Sequence, residues 1–262
     1  MSYKIIKAEP AFDGQVMEII LGPPPGNIVS QAMVAEISAE LERLNTPNPD
    51  TRPIKLVVFR GAGKHFSYGA SVEEHQPDQV CNMLPAFHQM ISQVIKSDIP
   101  TLARVSGVCL GGGFELALAC ALIFCDDTAK FGLPEIKLGV FPPPASILLP
   151  LKIGEVHAAQ MVLSGQNCPA QEALRLGLVN GVSAPDELDG TVSRFIEQSI
   201  LPKSAVALRK ACRAVRLPMA TLYQTHIAQV EALYLDDLMK STDAVEGITA
   251  FLEKRPPKWV DA

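Results

Sequence analysis

The chain has no C-x-x-C pair, no H-E-x-x-H, no G-x-S-x-G and no uncharged apolar run of transmembrane length. Each absence removes a class of function. Without paired thiols, the six cysteines (81, 109, 120, 125, 168 and 212) read as reduced core residues of a cytosolic protein, since most sit in apolar stretches. The five histidines are scattered, so no metal site is expected. The missing G-x-S-x-G argues against a serine hydrolase. Met1 to Glu9 carry no continuous apolar core of a signal peptide, and the expected location is cytoplasmic. Basic charge is short as well. A net charge of −5 argues against a nucleic-acid surface and leaves no polybasic patch for a membrane. What remains is 262 residues, 48% of them hydrophobic, enough for one large domain or a domain with an appendage.

One stretch organises the chain, Ser106-Gly107-Val108-Cys109-Leu110-Gly111-Gly112-Gly113-Phe114-Glu115 and on to Cys120. Thr101 to Val105 before it read as a buried strand, and Phe114 to Cys120 as an almost uncharged, buried helix. Three glycines at that junction let the backbone approach a ligand and leave amide N–H groups free at the positive end of the helix. Glu115 follows at once. An acid there would repel a phosphate, but it suits acid–base work beside an oxyanion. Two familiar glycine loops fail: the dinucleotide fingerprint needs glycine where Leu116 stands. The phosphate loop would need glycine at Val58 and Ser or Thr at His65.

Residues 3–9 and 14–21 read as a hairpin turning at Asp13-Gly14, and Ser30 as the cap of a helix to about Leu44. Thr46 to Pro53 reads as a polar loop. Strands are expected at 54–59, 101–105, 121–125, 129–132 and 178–182, with an amphipathic helix over 83–97. The alternation of strand and helix implies βαβ units and a largely parallel sheet. Past Gly154, helices are expected at roughly 155–163, 169–176, 186–199, 203–216, 218–239 and 241–254. The tail carries more apolar positions than a small core can bury, which suggests packing on another subunit.

A second acid, Glu135, lies 20 residues after Glu115 in Phe131-Gly132-Leu133-Pro134-Glu135-Ile136-Lys137-Leu138-Gly139. A helix-plus-strand excursion of that length brings the chain back to its start. Two carboxylates on one pocket can hold a water, one taking a proton and the other delivering one. The loop Gly61-Ala62-Gly63-Lys64-His65-Phe66-Ser67-Tyr68-Gly69-Ala70-Ser71 follows a strand and could offer a second N–H.

Together with the ending Ala250-Phe251-Leu252-Glu253-Lys254-Arg255, these blocks resemble the crotonase (enoyl-CoA hydratase/isomerase) superfamily over nearly the whole chain. The resemblance implies an α/β fold, a crotonase-like spiral of ββα units, with a helical C-terminal trimerisation region. Residues 1–200 would form the core and 201–262 the oligomerisation region of a homotrimer or dimer of trimers. It implies an acyl-CoA substrate and no cofactor, coenzyme A being part of the substrate, and neither nucleic acid nor membrane as partner. The thioester oxygen would lie between the N–H groups of Ala70 and Gly112, with Glu115 and Glu135 catalytic. Lys64, Tyr68, Val72 and Gly111 would contact the substrate, as would Phe141, Pro143 and Phe251.

Two departures narrow the resemblance. Ser71 stands where most hydratases have Asp, and Val140-Phe141-Pro142-Pro143-Pro144-Ala145-Ser146-Ile147 replaces a glycine-rich run. Prolines donate no hydrogen bond and stiffen the chain. The combination resembles the cyclohexa-1,5-diene-1-carbonyl-CoA hydratases of anaerobic benzoyl-CoA breakdown, against a generic enoyl-CoA hydratase of fatty-acid β-oxidation. A non-catalytic RNA-binding relative is the reading from another class, resting on Lys203, Arg209, Lys210, Arg213 and Arg216; the acidic net charge opposes it.

Overall fold

Asp13 and Gly14 take positive φ and turn the first hairpin, β1 (Lys7–Ala11) against antiparallel β2 (Val16–Leu21). The computed structural model describes residues 3–46 and 52–262, so most of the expected loop Thr46 to Pro53 lies outside the described residues. The first strand starts at Lys7 rather than Tyr3 because the N–H groups of Lys4, Ile5 and Ile6 donate to the Glu36 carboxylate instead of a sheet neighbour. Glu36 belongs to α1 (Gln31–Asn45), where the Ser30 hydroxyl caps the helix by accepting from the Met33 N–H at 3.3 Å. After β3 (Leu56–Gly61), α2 (Val80–Lys96) begins three residues before the expected start and tolerates Pro85 in its second turn.

The middle of the chain repeats one move. β4 (Thr101–Val105) leads to the short β5 (Val108–Leu110) and then α3 (Gly111–Ala119). β6 (Leu122–Asp126) leads to β7 (Lys130–Gly132), a 3₁₀ turn over Pro134–Leu138 and α4 (Pro143–Ile153). β3, β4 and β6 lie side by side, parallel, in a six-stranded sheet. Their followers, Ser67, β5 and β7, pair in the same order as a second, smaller layer. Each turn of the chain therefore adds one strand to each layer and one helix outside. That is a spiral of ββα units, and it stacks the three loops entering the helices beside one another.

Helix α4 is not among the expected helices, yet Pro143 and Pro144 occupy its first positions, where a missing N–H is harmless. Then come α5 (Glu155–Ser164), β8 (Cys168–Pro169), α6 (Ala170–Arg175), β9 (Gly181–Ser183) and α7 (Leu188–Phe195), extended by a π turn to Ile200. β9 is shorter and later than expected, because Asn180 bonds to the Ile123 backbone through both its N–H and its side chain before the ladder begins.

The largest correction is α8 (Ala205–Ala232), one helix running through Pro218 where two were expected. An internal proline costs a helix roughly 3 kcal/mol. Packing offsets it: α8 lies on α2 and α4, and buried Arg216 donates to the carbonyls of Ile95 and Ala119 at the C-terminal ends of α2 and α3. A π turn, Leu233–Asp237, and a 3₁₀ turn lead to α9 (Thr242–Leu252). Among the described residues no helix is long and apolar enough to cross a membrane.

Candidate active site

Gly111 and Gly112 are glycines for reasons the geometry makes plain. Gly111 has φ +48°, and a Cβ there would sit 2.7 Å from Glu135 Oε1. A Cβ on Gly112 would press on Ala70 Cβ at 3.1 Å and on Ala70 N and Phe87 Cζ at 3.3 Å. The floor of the site is thus bare backbone, because any side chain would fill it. The glycines do not precede the helix, as expected; they are its first turn. The N–H of Gly112, second residue of α3, is among those that no helix can satisfy internally.

The second N–H comes from the loop after β3. Val29 forms a parallel bridge with Ala70 in which Val29 N–H donates to Gly69 O and Ser71 N–H to Val29 O. That register leaves the Ala70 N–H out of the ladder. Ser67 fixes the loop, its hydroxyl donating to Asn27 O and accepting from Gly69 N–H, while Leu110 N–H donates to Ser67 O. Ala70 and Gly112 are thereby held against each other, with the positive end of α3 behind one of them.

Glu115 is one turn further along α3 and 4% exposed. Its Oε1 accepts from Ala145 N–H at 2.9 Å. Pro142, Pro143 and Pro144 have no N–H, so Ala145 supplies the first donor of α4, and it is spent on this carboxylate. Glu135 stands second in the 3₁₀ turn after Pro134, and Gly139, in the left-handed region at φ +70°, ends that turn. Glu135 Oε2 is buried and has no hydrogen-bond partner among the described residues.

Burial dominates the proton affinity of both acids. It raises the Glu115 carboxyl well above the ordinary value; the charge of Glu135 adds to this, and the Ala145 hydrogen bond opposes it. Burial likewise raises Glu135. Two carboxyls that resist ionising in one pocket hold protons toward neutral pH and titrate as a pair.

The pocket draws together Tyr68, Ala70, Val72, Gly111, Gly112, Glu115, Glu135, Phe141 and Pro143 from the expected set. Lys64 and Phe251 are not on its lining. Lys64 is exposed on the turn after Gly63, and Phe251, 53% exposed, lies on the outer side of α9, whose Ile248 faces the pocket instead. Sequence reasoning missed His75, Met83 and Tyr234. Phe87 and Leu84 were visible only as core positions of an amphipathic helix. His75 Nδ1 is 2.6 Å from Ser71 O, which can only accept, so Nδ1 carries the proton; burial lowers its pKa, favouring a neutral ring. Among the described residues no three His, Cys, Asp or Glu side chains are arranged to hold a metal ion. Arg216 is buried, which takes it out of the basic surface cluster.

Comparison with known proteins bears on the same arrangement. A family model described as Enoyl-CoA hydratase/isomerase matches residues 11–262. The chain is 41% identical over 248 residues to a cyclohexa-1,5-dienecarbonyl-CoA hydratase of Thauera aromatica, covering 94% of this chain and 93% of that one. To a carnitinyl-CoA dehydratase of Escherichia coli K12 it is 33% identical over 256 residues, covering 94% and 95%. The crystal structure of an enoyl-CoA hydratase/isomerase from Xanthobacter autotrophicus Py2 matches with a TM-score of 0.85 at 27% identity, over 96% of this chain and 94% of that one.

Proposed function

The chain belongs to the enoyl-CoA hydratase/isomerase family, and from that premise we propose that it adds water to, or removes it from, an α,β-unsaturated acyl-CoA thioester. The substrate class we favour is a cyclic dienoyl-CoA, cyclohexa-1,5-diene-1-carbonyl-CoA. One observation carries the water chemistry: Glu115 and Glu135, both raised in proton affinity, line one buried pocket beside the Ala70 and Gly112 amides. Two relatives that carry out hydration or dehydration support it, and the Thauera protein supports the ring.

The chemistry follows from the charges. The thioester oxygen accepts from the Ala70 and Gly112 N–H groups, which draw electron density out of the conjugated double bond. In hydration, one carboxylate takes a proton from water as its oxygen bonds to carbon. The π electrons move toward the thioester oxygen, and the other carboxyl returns a proton to carbon. Removing one donor of such an oxyanion site typically costs on the order of 3 kcal/mol of barrier. Lining by Phe87, Leu84, Phe141, Pro142 and Pro143 makes an apolar wall, suited to a hydrocarbon acyl group.

A linear enoyl-CoA is the second reading, favoured by the many family members named for it. A homotrimer or dimer of trimers belongs to the same proposal, supported by Val206, Val215 and Leu217, which stand exposed on α8. The test of the water chemistry is direct. The purified protein should bleach the conjugated absorbance of an unsaturated acyl-CoA and leave the matching free acid untouched. Failure on every unsaturated thioester would overturn the proposal.

A further inference from the structure

Tyr234 sits in the π turn that extends α8, and its ring meets Phe141 edge-on at a centroid distance of 5.4 Å. The side chain is 1% exposed, lines the same pocket as Glu115 and Glu135, and its hydroxyl has no hydrogen-bond partner among the described residues. A buried phenol without a partner is uncommon, since such groups are nearly always bonded. Nothing in the packing requires the oxygen. Tyr223, on the same helix, shows the ordinary solution: its hydroxyl donates to His88 O at 3.1 Å. Single π turns in helices often mark sites of function, and this one turns a polar atom toward the acids.

We propose that Tyr234 is a further catalytic residue, its O–H donating to the oxygen that water brings to the substrate. In hydration it holds the attacking water; in dehydration it holds the leaving hydroxyl. It gives up no proton. Water's proton goes to one carboxylate, the new C–O bond takes the oxygen lone pair, the π pair moves toward the thioester, and the second carboxyl protonates carbon. Burial and the charges of both glutamates raise the phenol's pKa, so it stays a donor throughout the working range. The arrangement is economical in charge: two groups that exchange protons, and one neutral donor that fixes the oxygen between them. It also makes the C-terminal helices part of the site.

This inference rests on the hydratase reading, and the experiment separates the two. Tyr234→Phe removes one oxygen from a place where it has no protein partner, so folding and melting temperature should be unchanged. Hydration by the variant should lose 10- to 100-fold in kcat with KM moved less than about threefold, the pattern of an interaction made at the reacting oxygen. A second measurement needs no turnover. In the Glu135→Gln background, calorimetry compares 3-hydroxybutyryl-CoA with butyryl-CoA, which lacks the hydroxyl. Tyr234 should confer a preference for the hydroxy ligand that falls roughly tenfold in the Tyr234→Phe double variant, while butyryl-CoA binding stays constant. If the preference does not change, or Tyr234→Phe keeps kcat within twofold, the inference is overturned. If the unaltered protein hydrates no thioester, the hydratase reading falls and the catalytic role of Tyr234 falls with it; hydration that does not depend on Tyr234 overturns this inference alone.

Discussion

Two helices begin at the pocket, and they begin in opposite ways. α3 opens with three glycines, which bare the backbone and leave its N–H groups free for a ligand oxygen. α4 opens on prolines, Pro142 at its cap and Pro143 and Pro144 as its first two residues, which supply no N–H at all until Ala145, and that one is bound to Glu115. The first start is built to stabilise negative charge. The second is built to avoid doing so, since a row of donors there would drain the proton affinity of both carboxyls. An oxyanion site and a pair of reluctant acids need opposite electrostatics within one small pocket. Glycine and proline at two helix starts provide them.

The comparison breaks most completely at Gly112. Gly112→Pro would convert the first start into the second, deleting one N–H and closing the approach to Ala70. Activity should fall by roughly 10³-fold or more in a folded protein, in line with the loss of an oxyanion donor and of substrate fit. Circular dichroism and steady-state kinetics on the same sample check it. A folded variant with native turnover would remove Gly112 from the site.

The acids come next. Glu115→Gln and Glu135→Gln should each lower kcat by about 10² or more, with the double variant little worse than either single one, because the two act on one water. Their burial also makes a stability prediction of definite sign. A carboxyl whose pKa is raised by folding binds protons more tightly in the native state, so stability is greatest near and below the ordinary value of 4.5 and falls as pH rises. Melting curves from pH 5 to pH 8 should decline more steeply for the native chain than for the double glutamine variant. Parallel curves would mean that the carboxyls ionise freely.

The second helix start gives the smaller effects. Pro143→Ala keeps the helix yet restores an N–H at the wall and removes part of a rigid ring face. Turnover of a linear enoyl-CoA should change less than about threefold, while any preference for a ring narrows several-fold. The ratio of the two kcat/KM values reads it out.

How much of this was legible follows the same division. The glycine start was readable because a local rule, bare N–H groups at a helix N-terminus, acts within five residues. Glu115 and Glu135 could be paired because the excursion between them is one ββα step. The proline start does line the pocket, but the helix it opens was missed, since three prolines signal a break along the sequence and a helix opening only once the following residues are known to pack. Pro218 misled in the same way: Arg216, two residues earlier, reaches carbonyls 121 and 97 positions away in sequence, and no local pattern announces such bonds. Tyr234 could not be found at all. Nearly a hundred residues separate it from Glu135, and only the packing of α8 onto α2 and α4 carries it to the site. Lys64 and Phe251 were assigned by resemblance alone, and neither is on the lining of the pocket in this chain.

The measurement closest to the centre of the account is a substrate comparison on the unaltered protein. Cyclohexa-1,5-diene-1-carbonyl-CoA and crotonyl-CoA are offered at matched concentrations, and hydration is followed for each. A rigid ring loses little conformational freedom against the apolar wall of Phe141, Pro142 and Pro143. The account predicts at least a tenfold advantage in kcat/KM for the cyclic thioester, about 1.4 kcal/mol of differential transition-state binding. Faster hydration of crotonyl-CoA would contradict it and leave a linear enoyl-CoA as the substrate.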